Sequence, residues 1–431
     1  MLRKGFYMEL KDNRLLTTLG YYMPSFYYMN IGEGDEKLDI NKLSDHDLSV
    51  FFHEYIHYLQ DLTTFDGANR AYVFNELLRG MLEVIYADKA GIKVPITTDK
   101  IDPRVLLEND VVGTTSGDSF SIADCEVVKY ETLKKPIHRG NQSFEVPVEV
   151  VRFDNNACYK FGSTAIQESM AYLMQRLCTK IDYTSPDAPY NVATKLAYGI
   201  CPQVFCDSIK IVALCDASLM SNAPGLIFRY VAEQCKQRPD DFKTPESIID
   251  FTLQLEGIDH HTNQKSTIGG FYFDKIIAIK NQLKDYIQVD KLNFSSSLDA
   301  CISLAIDYRR NNPYFMVDIA RGGYIKQNNA FIKALSEFGS PIIVNDKGYY
   351  HQCPSSKFDN GFMMFFSAIL QIFRLFSEGT IPCDMKRWCE TSKIPVDERC
   401  DKNPWEHCTD DPMCPFGFLW KHRNLSDYQP K

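Results

Sequence analysis

Residues 44–60 read SDHDLSVFFHEYIHYLQ, a stretch that combines a helix start, an apolar face and a pair of imidazoles. Ser44 offers a side-chain acceptor to the first turn, and Asp47, three residues on, can reach back in a capping-box arrangement. Leu48, Phe52, Tyr55, Ile56 and Leu59 then recur at helical spacing and trace an apolar face. His53 and His57 are four apart, so on a helix both project from one side, beside that face, with Glu54 next to them. Two imidazoles so placed can clamp one metal ion. With nine His in the chain, a chance HExxH is expected about once in a hundred such sequences.

Two neutral histidines bind zinc poorly without a third protein ligand, and a hydrolytic site also needs an open position for water. The best third candidate is Glu168, in Gly162-Ser163-Thr164-Ala165-Ile166-Gln167-Glu168-Ser169-Met170-Ala171-Tyr172. Ser163 or Thr164 can cap this helix, Glu168 falls about one turn inside it, and Ala171 leaves room for packing against the histidine helix. Glu76, Glu83 and Glu131 are the competing carboxylates.

These two segments resemble the gluzincin type (HExxH…E) of zinc metallopeptidase, in which a glutamate from a following helix joins the HExxH pair. The resemblance implies His53, His57 and Glu168 as ligands of one catalytic Zn2+ and Glu54 as general base on a zinc-bound water. It further implies a metalloendopeptidase acting on a protein or peptide substrate, on a zincin-like core. The metzincin variant, HExxHxxGxxH, is excluded by Gln60 and Thr63. An ExxxD setting would place at position 172 the aspartate that orients a ligating histidine; here it is Tyr172, which leaves Asp61 or Gln60 as the outer partner. The oxyanion formed in hydrolysis needs a donor besides zinc, and His138, His260, His261, Tyr272, Tyr308, Tyr314 and His351 are all suitable in type.

The wider chain sets limits. Its 431 residues, 45% hydrophobic and 24% charged, have ordinary globular composition and can bury a large core. A net charge of -9 with scattered Lys and Arg gives no footprint for nucleic acid. The first residues lack an apolar h-region, so a cytoplasmic location is expected. The apolar run Gly361 to Phe376 is interrupted by Gln371 and Arg374 and falls short of the roughly 20 residues of a span, so it reads as a buried helix and no membrane role is expected. Fourteen Cys without an export signal favour reduced thiols.

Along the chain, residues 1 to 43 suggest a small sheet with extended pieces at Phe6–Leu10 and Phe26–Ile31. A second helix is expected over Ala68–Asp88, then loops and short strands to about residue 142. Phe144, Val146, Val148 and Val150 alternate with polar residues as a half-exposed strand that Pro147 places at a sheet edge. Helical patterns follow at Thr164–Thr179, Ala193–Ser218, Pro224–Gln237, Pro245–Leu255, Ile268–Ile287, Ser297–Arg309, Ile325–Phe338 and Gly361–Phe376. The fold class is α+β, predominantly helical. Its expected parts are a catalytic unit (1–180), a helical unit completing a cleft (181–380) and a Cys-rich irregular appendage (381–431). In the last, Cys389, Cys400, Cys408, Cys414 and His407 lack any CxxC knuckle, so ordinary thiols are expected in place of a second structural ion. Two other readings are a zincin-fold binding or regulatory protein without general protease activity and a metal-free helical interaction protein.

Overall fold

The computed structural model describes residues 20–32, 39–87, 93–139, 142–181, 184–258, 263–286, 294–345 and 347–430. The expected strand at Phe6–Leu10, the helix end at Asp88 and the pair His260-His261 lie outside the described residues. The fold is α+β and mostly helical, with a small N-terminal sheet.

The quoted stretch forms helix α1, Asp45–Thr63. The Ser44 hydroxyl accepts from the Asp47 amide at 3.0 Å and donates to the Asp47 carboxylate at 2.7 Å, while Asp45 and Asp47 put negative charge at the positive end of the helix dipole. Apart from its first turn and His57, α1 is buried all round, so it is a central helix and not a surface one. Its polar residues therefore need partners inside the protein. Tyr55 and Tyr58 donate to the carbonyls of Gly339 and Phe338, and Ser49 meets Thr179.

Strands β1 (Tyr21–Met23) and β2 (Tyr28–Asn30) form an antiparallel hairpin beside α1. Gly20 allows that approach: a Cβ there would lie 2.6 Å from the Asn30 carbonyl oxygen and 2.7 Å from Val50 Cγ1. Helices α2 (Phe65–Ala87) and α3 (Pro103–Ser116) follow. A second sheet comes next, β3 (Val127–Arg139), β4 (Gln142–Phe153) and β5 (Cys158–Phe161), with β4 in the middle. Helix α4, Ser163–Cys178, then packs on α1.

The remainder is helical: α5 (Val192–Ile200), α6 (Pro202–Phe205), α7 (Ser208–Ser218), α8 (Pro224–Gln237) and α9 (Pro245–Leu253). A two-stranded ribbon, β6 (Glu256–Ile258) and β7 (Lys265–Thr267), leads to α10 (Ile268–Tyr286), α11 (Phe294–Asn311), α12 (Phe315–Arg321) and α13 (Asn329–Phe338). Strands β8 (Ile342–Val344) and β9 (Tyr350–His351) precede α14 (Met363–Glu378) and the short helices α15 (Lys386–Thr391), α16 (Arg399–Lys402) and α17 (Pro415–His422).

Several expectations need correction. The stretch read as loops and short strands to residue 142 holds the 14-residue α3 and the 13-residue β3. Asp102 caps α3 and Pro103 starts it, a clear signal, but Gly113, Thr114 and Thr115 dilute its helical pattern. The single helix expected over Ala193–Ser218 is three, because Pro202 has no amide to continue the ladder and Asp207 caps a new start. The sheet expected from residues 1–43 is closed by chain from far away: β8 runs parallel to β2, and β9 completes the order β1-β2-β8-β9. Pro147 is paired on one side only, opposite Lys134 of β3, because β5 covers just Glu149–Arg152 on the other side; over that span β4 is a central strand. The run at Gly361–Phe376 is a core helix, and one apolar core runs from Tyr22 through α1 and α14 to Trp420 and Leu425.

Candidate metal centre

One face of α1 meets one face of α4 at His53, His57 and Glu168, and the three side chains bring three lone-pair atoms together. His53 Nε2 and His57 Nε2 are 3.2 Å apart, and Glu168 Oε2 lies 3.3 Å from the first and 3.5 Å from the second. A tetrahedral ion with bonds of about 2.0–2.1 Å has ligand–ligand edges of about 3.3–3.4 Å, so the triangle has the dimensions of one face of such a site. The histidine side chains are 10% and 12% exposed and that of Glu168 is 24% exposed, so the triangle opens to solvent on the α4 side.

The surrounding residues fix which atoms point inward. His57 Nδ1 is 2.8 Å from Gln60 Oε1, an acceptor, so Nδ1 carries the proton and Nε2 presents its lone pair. The Gln60 amide nitrogen donates to the Gln167 carbonyl at 3.3 Å, which orients the amide. Gln167 Nε2 donates to Asp66, which also takes the Nε bond of Arg70, and Arg70 reaches Ser163 at 2.7 Å in the first turn of α4. The residues on either side of this network, His57 and Glu168, are thereby braced together. Nitrogen and oxygen atoms converging at such distances can share a proton or hold a cation among them. Burial pulls the His57 pKa down, but the Glu168 carboxylate outweighs it and takes the pKa up to about 9. For Glu168, burial pushes upward and is overcome by the two imidazoles, which hold its carboxyl well below the usual range. Gln60→Ala frees the His57 ring and is expected to weaken metal affinity about 10- to 100-fold, read by competition with a chelator.

Glu54 is buried beside the triangle. Burial raises its pKa; His53 and His57 oppose the rise, Glu168 adds to it, and the backbone amide of Tyr22 in β1 donates to the carboxylate. A carboxylate with raised proton affinity next to a cation site suits proton transfer.

Asp61 is not the outer partner of a histidine. It faces the β1–β2 turn, accepting from the Ser25 amide at 2.8 Å and the Tyr22 hydroxyl at 2.9 Å, and so holds that hairpin against α1. Burial lifts its pKa from 3.8 to about 6, against those two bonds. The native state therefore binds this proton more tightly than the unfolded chain does. The stabilisation is complete below about pH 4 and is lost as pH rises through about 6. Asp61→Asn removes this dependence: the wild-type-minus-variant difference in unfolding free energy should fall by about 3 kcal/mol between about pH 4 and pH 8. A difference flat with pH would contradict this reading.

The competing carboxylates lie elsewhere. Glu76 pairs with Arg79, Glu83 approaches the same Arg79, and Glu131 binds Lys129 and Arg152. Of the donors named from sequence, His138 is exposed on β3, Tyr272 is in the core near Arg309 and Asp216, and Tyr308 stacks among Phe315 and Phe338. Tyr314 donates to Asp250, and His351 is in β9, at the opposite edge of the sheet from β1. A candidate donor that sequence reading missed is Tyr190, in the connection before α5. Its ring centroid is 6.1 Å from that of His53, and Tyr172 packs edge-on against it at 5.9 Å. The Glu168 charge, then burial, then Glu54 push the Tyr190 pKa far up, so the phenol keeps its proton. Tyr190 sits outside any periodic pattern, and no local signal marks it. Position 172, read as a missing aspartate, supports this donor instead.

Comparison with protein-family models, with curated proteins and with solved structures finds no match.

Proposed function

We propose that the protein is a zinc-dependent peptidase of gluzincin type, with His53, His57 and Glu168 holding one zinc ion. The observation that carries this reading is the triangle of two imidazole nitrogens and a carboxylate oxygen with edges of 3.2, 3.3 and 3.5 Å, opening toward solvent beside the buried Glu54. When bound, such an ion acts as a Lewis acid toward water and a carbonyl oxygen. Glu54 takes a proton from the attacking water and returns one to the leaving amine. Tyr190 donates a hydrogen bond to the oxygen on which negative charge develops. Gln60 keeps the His57 tautomer that leaves Nε2 free to ligate.

The substrate class follows from the same surroundings. Among the described residues β1 is the terminal strand of its sheet, and its Tyr22 amide already touches Glu54. An extended peptide aligned along β1 would present its backbone to the triangle. Elemental analysis of purified wild type beside His57→Ala and Glu168→Ala tests the centre. Each variant is expected to hold one equivalent of zinc fewer than wild type. Zinc content unchanged from wild type in both variants, or zinc absent from wild type, overturns it.

A further inference from the structure

A second convergence of soft donors lies in the C-terminal segment, well removed in sequence from the first. Cys400 Sγ is 3.3 Å from His407 Nε2, and both residues are buried. On the other side of the ring, His407 Nδ1 is 2.7 Å from Asp410 Oδ2, and Arg399 clamps that carboxylate with two bonds of 2.9 and 3.0 Å. The proton is thus held on Nδ1, and the Nε2 lone pair faces the sulfur. A carboxylate behind a histidine is the support that metal-ligating imidazoles commonly have.

Further thiols surround this pair. Cys383, Cys389 and Cys414 are each close enough to Cys400 and to one another to interact electrostatically, and all are free. Cys414 stands at the N-cap of α17, where its Sγ accepts the Gly417 amide at 3.3 Å. Cys383 Sγ receives the Met385 amide. Asp397 Oδ1 lies 3.6 Å from His407 Nε2, and the ligating atoms of Asp397, Cys400 and His407 all lie within 4.8 Å of one another, while Arg399 holds the Asp397 carboxylate in place.

We propose that this segment binds a second metal ion, zinc by its thiolate and imidazole donors, through Asp397, Cys400 and His407. Asp410 and Arg399 orient His407, and Cys383, Cys389 and Cys414 flank the site. The physical need is clear from the local structure. Helices α15, α16 and α17 run six, four and eight residues, too short to persist on propensity, yet they carry Trp420 into the main core against Phe376. An ion joining residues 397, 400 and 407 ties α16 to the turn that packs on α17, and its binding releases the Cys400 thiol proton to solvent.

The test uses the full chain, loaded with zinc for counting and with cobalt for spectroscopy. Two zinc ions per chain are expected in wild type, one in His53→Ala/His57→Ala and one in Cys400→Ser/His407→Ala. Cobalt-loaded wild type should show thiolate-to-metal charge-transfer absorption. That absorption should persist in the His53/His57 variant, because the first site has no sulfur ligand, and disappear in Cys400→Ser. If Cys400→Ser does not fold, the wild-type cobalt spectrum decides alone: without thiolate absorption the proposal fails. A single zinc accompanied by that absorption upholds this site and removes the one at His53.

Discussion

Glu54→Gln should lower cleavage of unstructured peptides by about 10²- to 10⁴-fold while leaving zinc content and the unfolding midpoint at wild-type values. Gln has the shape of Glu and can still accept the Tyr22 amide, so the β1 contact survives. What it cannot do is take a proton. The buried position and raised proton affinity of Glu54 are what a base beside a cation site requires, and neither depends on a hydrogen bond that Gln would break. The measurement is the rate at which new termini appear in a peptide mixture, by mass spectrometry, beside the metal content of the same sample. Cleavage at the wild-type rate would remove Glu54 from the chemistry. Loss of zinc together with cleavage would instead mean that Glu54 supports the ligands. Tyr190→Phe makes the useful comparison, since it should lower turnover more than apparent substrate affinity.

The largest expected effect on stability is at Asp216. Arg309 on α11 binds both Asp216 oxygens, each at 2.7 Å, and its Nε and second amino group also donate to the carbonyl and hydroxyl of Thr63, the last residue of α1. The two side chains are 3% and 1% exposed. Asp216→Ala leaves a guanidinium buried beside the Phe315 ring without its counter-charge and should cost about 3–5 kcal/mol in denaturant unfolding. Replacing both residues by apolar ones of similar size should recover much of that loss, because the desolvation penalty disappears with the charges. A loss below about 1 kcal/mol in Asp216→Ala would mean that water reaches the pair. Zinc affinity should also fall in the single variant, since Thr63 anchors the end of the helix that carries both histidines.

The sequence made the first of these sites legible for local reasons. Ser44, the 3–4 spacing from Leu48 to Leu59 and the His53–His57 interval are properties of one helix, and a helix has few ways to arrange them. Glu168 was reachable because a helical pattern and a small residue surround it, although the cap expected from Ser163 or Thr164 is not formed: α4 starts after Gly162 with no side-chain cap. The rest required tertiary knowledge. Tyr190 lies in a connection whose path is set by what it packs on, and Asp61 differs from Gln60 only in which way it faces around α1. The strands at 342–351 are too short to announce a partner, and nothing at Ile342 indicates pairing with Tyr28. At the C-terminus the cysteine spacings favour ordinary thiols, and the grouping of Asp397, Cys400 and His407 is a property of the fold that those spacings do not carry.

The pairing of β8 with β2 also bears on synthesis. Tyr55 and Tyr58, one on each side of Ile56 in the HExxH helix, find their acceptors 284 and 280 residues later, and Arg309 must arrive before Thr63 is anchored. Until residues 338 and 339 have been made, α1 therefore has no complete berth, and its imidazoles emerge long before the helix that carries them is fixed. Chains truncated ahead of residue 338 should consequently emerge as chaperone clients.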